Sequence, residues 1–226
     1  MSPKVRSALS IPSEVDNGLA LRYLKSSAPA LLYLCQERNH VDWDVALFHA
    51  VNGLAGRWPW LDQFMRFFAA PDNFIVLSVV ALGCWVWAKG WRAVVGAICL
   101  AAMVETADFT ATRIKYLVAR PRPCAVLEQV HRVAGCGRAY SFPSNHAVNT
   151  AAAATFFQVL HPRAGWIAWP IVTVIGFGRV YLGFHYVTDV LAGWLLGGTL
   201  GWVAGWFLVR RLSSWSSTEG SEGGTK

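Results

Sequence analysis

The stretch Val190-Leu-Ala-Gly-Trp-Leu-Leu-Gly-Gly-Thr-Leu-Gly-Trp-Val-Ala-Gly-Trp-Phe-Leu-Val209 decides how the whole chain must be read. It holds one hydroxyl, Thr199, and no charge, and Arg210-Arg211 follow at once. Twenty helical residues rise about 30 Å, the thickness of a bilayer's hydrocarbon core. The composition agrees. Of the 226 residues 54% are hydrophobic and 15% charged, whereas a soluble domain carries about 25% charge. The 12 Trp suit the boundary where apolar tails meet water. Such a composition excludes a disordered chain and speaks against a water-soluble globule.

Four shorter runs, 74–88, 93–104, 147–160 and 166–177, are almost free of charge. Together with 190–209 they predict an all-α fold, a polytopic transmembrane helical bundle of five spans. Residues 19–35, rich in Leu and Ala but broken by Arg22 and Lys25, add a sixth, weak span near the N-terminus. Residues 44–56 read as an amphipathic or shallow helix. The expected division is a tail and weak span at 1–40, a membrane domain at 41–212 and a Ser/Gly/Thr-rich, disordered tail at 213–226. No signal peptide is expected, because no clean apolar stretch follows a basic start. Gly193, Gly197, Gly201 and Gly205 share one helical face. That face suits close helix approach, either within the chain or across a homodimer seam. Glu105 and Asp108, in one stripe with Thr112 and Lys115, are expected to face the bundle interior, since a charge facing lipid is costly.

Alternating the spans brings three polar clusters to one side of the membrane. They are Lys115-Tyr-Leu-Val-Ala-Arg120-Pro-Arg122-Pro123, then Phe142-Pro-Ser144-Asn145-His146, then Gly178-Arg179-Val-Tyr-Leu-Gly-Phe-His185-Tyr-Val-Thr-Asp189. Any one of them is unremarkable: an Arg near a span end commonly snorkels to headgroups. Together they supply fixed cations, a hydroxyl, two imidazoles and a carboxylate, which is an inventory for phosphoryl chemistry. Guanidinium forks and an ammonium neutralise a phosphate and the charge that grows in its transition state. Ser144 stands where a helix begins, so its hydroxyl and neighbouring N–H groups can cradle an oxyanion. His185 and Asp189 are four apart and would share a helical face. A carboxylate holding one imidazole nitrogen leaves the other to attack phosphorus. His146 can then protonate the leaving oxygen.

The pattern K-x6-R-P, P-S-x-H and R-x5-H-x3-D resembles the type-2 phosphatidic acid phosphatase superfamily at Lys115/Arg122/Pro123, Pro143/Ser144/His146 and Arg179/His185/Asp189. The resemblance implies a helical-bundle lipid phosphatase that works through a phosphohistidine, with no metal and no cofactor. It implies His185 as nucleophile, oriented by Asp189, and His146 as acid and then base. Lys115, Arg122, Ser144 and Arg179 would hold the phosphate. Two positions depart from the family pattern. Asn145 stands where Gly is usual, and Gly178 where Ser is frequent. Spacing from Lys115 selects Arg122 as the motif arginine and leaves Arg120 in reserve.

The segment 49–65 is similar to bacterial members acting on undecaprenyl diphosphate, which is therefore the favoured substrate. Phosphatidylglycerophosphate, phosphatidic acid and lipid A phosphatases are the alternatives, as is a lipid phosphotransferase. A vanadate-dependent haloperoxidase shares such a phosphate site but is soluble, against the 190–209 span. The net charge of +7 points to anionic lipids or a phosphorylated substrate rather than nucleic acid. The expected location is the bacterial cytoplasmic (inner) membrane, with the site facing the extracytoplasmic side. Lys89, Arg92, Arg163, Arg210 and Arg211 would mark the cytoplasmic side. Cys124 and Cys136 fall in the loop between Arg122 and Ser144. They are either a bridge that restrains this loop or two loop thiols.

Overall fold

In the computed structural model, residues 42–70, 72–133, 135–137 and 140–222 are described. The tail and weak span expected at 1–40 lie outside them. Among the described residues every regular element is helical: α1 (Asp42–Asn52), α2 (Pro59–Ala69), α3 (Asp72–Lys89), α4 (Trp91–Val118), α5 (Pro123–Val126), α6 (Asn145–Leu160), α7 (Gly165–Tyr181) and α8 (Val187–Glu222). A short 3₁₀ turn at Pro162–Ala164 joins α6 to α7.

Local chemistry sets these boundaries. Pro59 opens α2 at a position where its missing N–H costs nothing. Gly90, at φ 63°, makes the turn that separates α3 from α4. The chain leaves α4 through Ala119 in the left-handed region, just before Pro121 forbids further helix. Asp189, in the first turn of α8, accepts the Tyr186 N–H through Oδ2 at 2.9 Å. That bond is half of a capping box and fixes where the last helix starts.

α6 and α8 form the closest pair. A Cβ built on Gly197 would lie 2.0 Å from the Val148 carbonyl oxygen, and one on Gly201 2.2 Å from that of Ala152. Gly193 and Gly205 meet Ala147 and Val159 in the same way. The glycine face is therefore occupied inside the chain. Of the two partners expected for Gly193, Gly197, Gly201 and Gly205, the structure shows the one within the chain, α6. Met103, Ala107 and Ala111 of α4 complete the core with Val148, Ala152 and Phe156 of α6 and Leu208 of α8.

The outside of the bundle is apolar. Trp87 is 90% exposed, Trp166 85% and Leu195 75%, a surface suited to lipid. By length and composition, Trp91–Val126 and Val187–Arg211 are long and apolar enough to cross a membrane. Each of the five expected runs lies in a helix, and among the described residues two of these helices pass that test. α6 has 16 residues and α7 has 17 with Pro170 inside it, at the lower limit of what crosses a bilayer core. α8 continues to Glu222, through most of the stretch expected as a disordered tail; neither Pro nor Gly interrupts it between Leu212 and Glu219.

The α6–α8 contact makes a sharp contrast. Gly197→Ala should lower thermal stability by about 1–3 kcal/mol, the usual cost of overpacking. Gly198→Ala, whose Cβ would meet only Thr155 Oγ1 at 3.7 Å, should be neutral or slightly stabilising. Melting curves of the two purified variants decide it. Equal melting temperatures would contradict close packing along this seam.

Candidate active site

The connections that follow α4, precede α6 and precede α8 meet at one end of the unit Trp43–Lys226. Backbone bonds lock them together. The Ser141 N–H donates to the Arg120 carbonyl at 2.8 Å, and the Ser144 N–H donates to the Asp189 carbonyl at 3.1 Å. The Ser141 hydroxyl also donates to the Arg120 and Pro121 carbonyls. The Cys124–Cys136 bridge, with 5.8 Å between its Cα atoms, closes the loop between them, and the Cys124 N–H donates to Gly183. So the bridge, one of the two readings left open for these cysteines, is formed.

Arg120 is the centre of the charge network. Its Nη1 donates to Asp189 Oδ1 at 2.7 Å and to Thr188 Oγ1, while its Nη2 donates to Asp44 Oδ2 at 2.8 Å. The guanidinium also stacks on Tyr186, 3.7 Å from the ring centre. All three charged groups are buried. Arg120, held in reserve on spacing, is thus engaged with two carboxylates. Arg122 turns instead toward Gly137 and the Phe184 ring.

His185 does not share a helix with Asp189; it sits in the turn before α8, fully desolvated. Its Nδ1 lies 2.8 Å from the Ser141 carbonyl oxygen and 3.6 Å from Asp189 Oδ2. A carbonyl only accepts, so Nδ1 carries the hydrogen and Nε2 keeps its lone pair. Burial pushes the ring down to about 4, against the pull of Asp189 and with the help of Arg179. At neutral pH the imidazole is uncharged. The nearer acceptor is thus a backbone carbonyl, and the expected partner Asp189 holds the same nitrogen from 3.6 Å.

The other expected residues surround this ring. His146, in the first turn of α6, lies within electrostatic range of Arg179, His185, Lys115 and Arg122. Lys115 closes α4 and is buried. Arg179, at the end of α7, packs 4.4 Å over Phe184. Ser144 precedes α6 as its N-cap residue, yet its hydroxyl caps nothing. That hydroxyl and the Arg179 Nε are buried polar atoms with no hydrogen-bond partner among the described residues. A buried orphan donor is costly, and an incoming phosphate oxygen would satisfy both. Asn145 is ordinary helix in place of the usual Gly, and its side chain donates to Asp108 at 2.9 Å and Thr112 at 3.1 Å. Asn149 donates to the same carboxylate at 2.8 Å. Asp108 therefore faces inward as expected. Glu105 does not: it is exposed, one turn away from these donors.

Sequence reasoning missed Asp44, Ser141 and Asn149. Asp44 had a faint signal, as a carboxylate in a chain with only 13 and an unassigned arginine to match. Ser141 acts through its backbone, which leaves no mark in side-chain chemistry. Among the described residues no cluster of His, Cys, Asp and Glu could hold a metal.

The bundle thus buries Lys115, Arg179 and His185 at one end, with His146 within electrostatic range of all three. Residues 90–213 match the PAP2 superfamily, and the chain belongs to it. The Escherichia coli (strain K12) protein named "Putative undecaprenyl-diphosphatase YbjG" is 30% identical over 76% of this chain and 89% of that protein. The undecaprenyl-diphosphatase of Sulfolobus acidocaldarius is 33% identical over 40% of this chain, and the match spans 44% of that protein's length. A transmembrane PAP2-type phosphatidylglycerolphosphate phosphatase from Bacillus subtilis superposes with a TM-score of 0.58 at 25% identity, covering 81% of this chain and 96% of that one. The protein is a membrane-embedded phosphatase, a hydrolase of phosphate esters or anhydrides.

Removing one member of a buried ion pair strands the other, typically at about 3–5 kcal/mol. Asp44→Ala should therefore lower stability by that order and reduce phosphate release. Arg120→Lys should also impair turnover, since one ammonium cannot fork between Asp44 and Asp189. Thermal melting together with a phosphate-release assay reads both effects. Wild-type values for the two variants would remove Arg120 from the organising role.

Proposed function

We propose that the protein removes the terminal phosphate of undecaprenyl diphosphate through a phosphohistidine on His185. The observation that carries this reading is the Nδ1–Ser141 hydrogen bond, which aims an unprotonated Nε2 away from its anchor. Nε2 attacks the terminal phosphorus, and the bond from phosphorus to the lipid monophosphate oxygen breaks. His146 delivers a proton to that oxygen. Water then attacks the phosphohistidine, His146 takes its proton, and inorganic phosphate leaves with the His185 nitrogen restored.

Lys115, Arg122 and Arg179 hold the phosphate oxygens, joined by the Ser144 hydroxyl and the first amides of α6. Asp189, braced by Arg120, stabilises the imidazole as it gains positive character. Three fixed cations supply the charge neutralisation that a metal gives other phosphatases. The undecaprenyl-diphosphatase relatives support the choice of lipid. The superposition on a phosphatidylglycerolphosphate phosphatase supports that lipid as the second reading. The site faces the extracytoplasmic side of the bacterial inner membrane, a placement supported by the Cys124–Cys136 bridge, because disulfides persist in oxidising compartments.

Purified protein offered undecaprenyl diphosphate, phosphatidylglycerophosphate, phosphatidic acid and lipid A should release phosphate fastest from the first, with EDTA present. His185→Ala should lose turnover by roughly three orders of magnitude or more while remaining folded. A faster rate on phosphatidylglycerophosphate would replace the substrate and keep the chemistry. Loss of activity in EDTA, restored by Mg²⁺, would contradict metal-independent action. Faster turnover on adding a lipid hydroxyl acceptor would make the protein a phosphotransferase.

A further inference from the structure

We propose that the end of the bundle opposite the catalytic cluster holds a second phosphate site, built for the headgroup of an anionic phospholipid. A cleft of about 410 Å³ opens there, within the roughly 300–1,000 Å³ typical of ligand sites. Lys89, the last residue of α3, Arg92 in the first turn of α4 and His161 just after α6 line it. These three mark helix ends, so they sit where the bundle meets the headgroup layer. The remaining lining is apolar, with Ala93 and Leu208 buried beneath.

The wall is a built surface. The Trp85 ring lies against Gly96, where an added Cβ would come within 2.6 Å of it. It meets Phe157 and His161 edge-on, at 5.4 and 6.4 Å between centres. Glycine at 96 thus lets an indole seal one side of the cleft.

Charge selects the occupant. Residues 83–104, 150–178 and 190–218 hold no Asp or Glu, and the acids that α8 carries beyond this end, Glu219 and Glu222, follow the cleft residue Leu208 by three helical turns or more. The first turn of α4 contains no acidic residue, and among the described residues none lines the cleft. Two cations at a cleft mouth over an apolar floor fit a phosphodiester carrying net negative charge, with its acyl chain against Trp85. A zwitterionic headgroup would bring its own ammonium against Lys89 and Arg92. From Arg92 to Lys115 along α4 is about 35 Å, so this site is separate from the catalytic one and does not depend on the substrate assigned there.

Native mass spectrometry of the full-length protein in detergent tests the proposal, using phosphatidylglycerol and phosphatidylcholine of matched chains. Wild type should retain phosphatidylglycerol preferentially. Lys89→Gln/Arg92→Gln should weaken that retention about tenfold or more, with melting temperature and phosphatase turnover unchanged. Arg210→Gln/Arg211→Gln is the control. It removes the same charge from side chains that cover Trp206 and Phe207 rather than lining the cleft, and it should retain the lipid as wild type does. Equal retention of both lipids, or equal loss in the control, would overturn the site in favour of general surface charge. Displacement of phosphatidylglycerol by millimolar inorganic phosphate would overturn the lipid assignment and leave a soluble phosphate as the occupant.

Discussion

The fork of Arg120 between Asp44 and Asp189 is the constraint on which the rest of the site depends. Burying one guanidinium and two carboxylates is expensive unless their geometry is good, and here both ion pairs close at 2.7–2.8 Å. The fork ties the chain after α4 to α1 and to the first turn of α8. Asp189 in turn receives the Tyr186 N–H, and its carbonyl receives that of Ser144. One cation therefore sets the position of the loop bearing Ser144 and of the turn bearing His185. Arg120 takes up both carboxylates of the fork, and Lys115 and Arg179 are buried at the same end as the two imidazoles, as a site for a multiply charged anion requires.

Much of this was legible in the sequence because polar residues stand out in an apolar chain. Lys115, Arg122, Ser144, His146, Arg179, His185 and Asp189 lie at helix ends, and alternating the apolar runs was enough to bring those ends together. What was not legible followed from three-dimensional pairing. Nothing in Arg120-Pro-Arg122 says which arginine meets carboxylates, since that depends on Asp44, 76 residues earlier. The acceptor for His185 is a backbone carbonyl, invisible to any reading of side chains. The glycine face was visible, but spacing alone could not say whether its partner was α6 or a second copy.

The fold shows the same division. Periodicity and hydropathy located the helices, whereas their capacity to cross a bilayer depends on lengths set by turns. α6 and α7 are cut short by the Pro162 turn and by the loops of the site. Asn145 and Asn149 find Asp108 across the α4–α6 interface. A side chain in place of the usual glycine at 145 is accommodated because the position is helical and its amide has an acceptor to reach.

The central claim is that His185 carries the phosphoryl group. The most direct measurement is mass spectrometry of peptides from protein acid-quenched or alkali-quenched during turnover of the lipid diphosphate. The account predicts an acid-labile, alkali-stable phosphate on His185. It should accumulate further in His146→Ala, where water lacks its base. Turnover with phosphate on no residue, or on a residue other than His185, would contradict it.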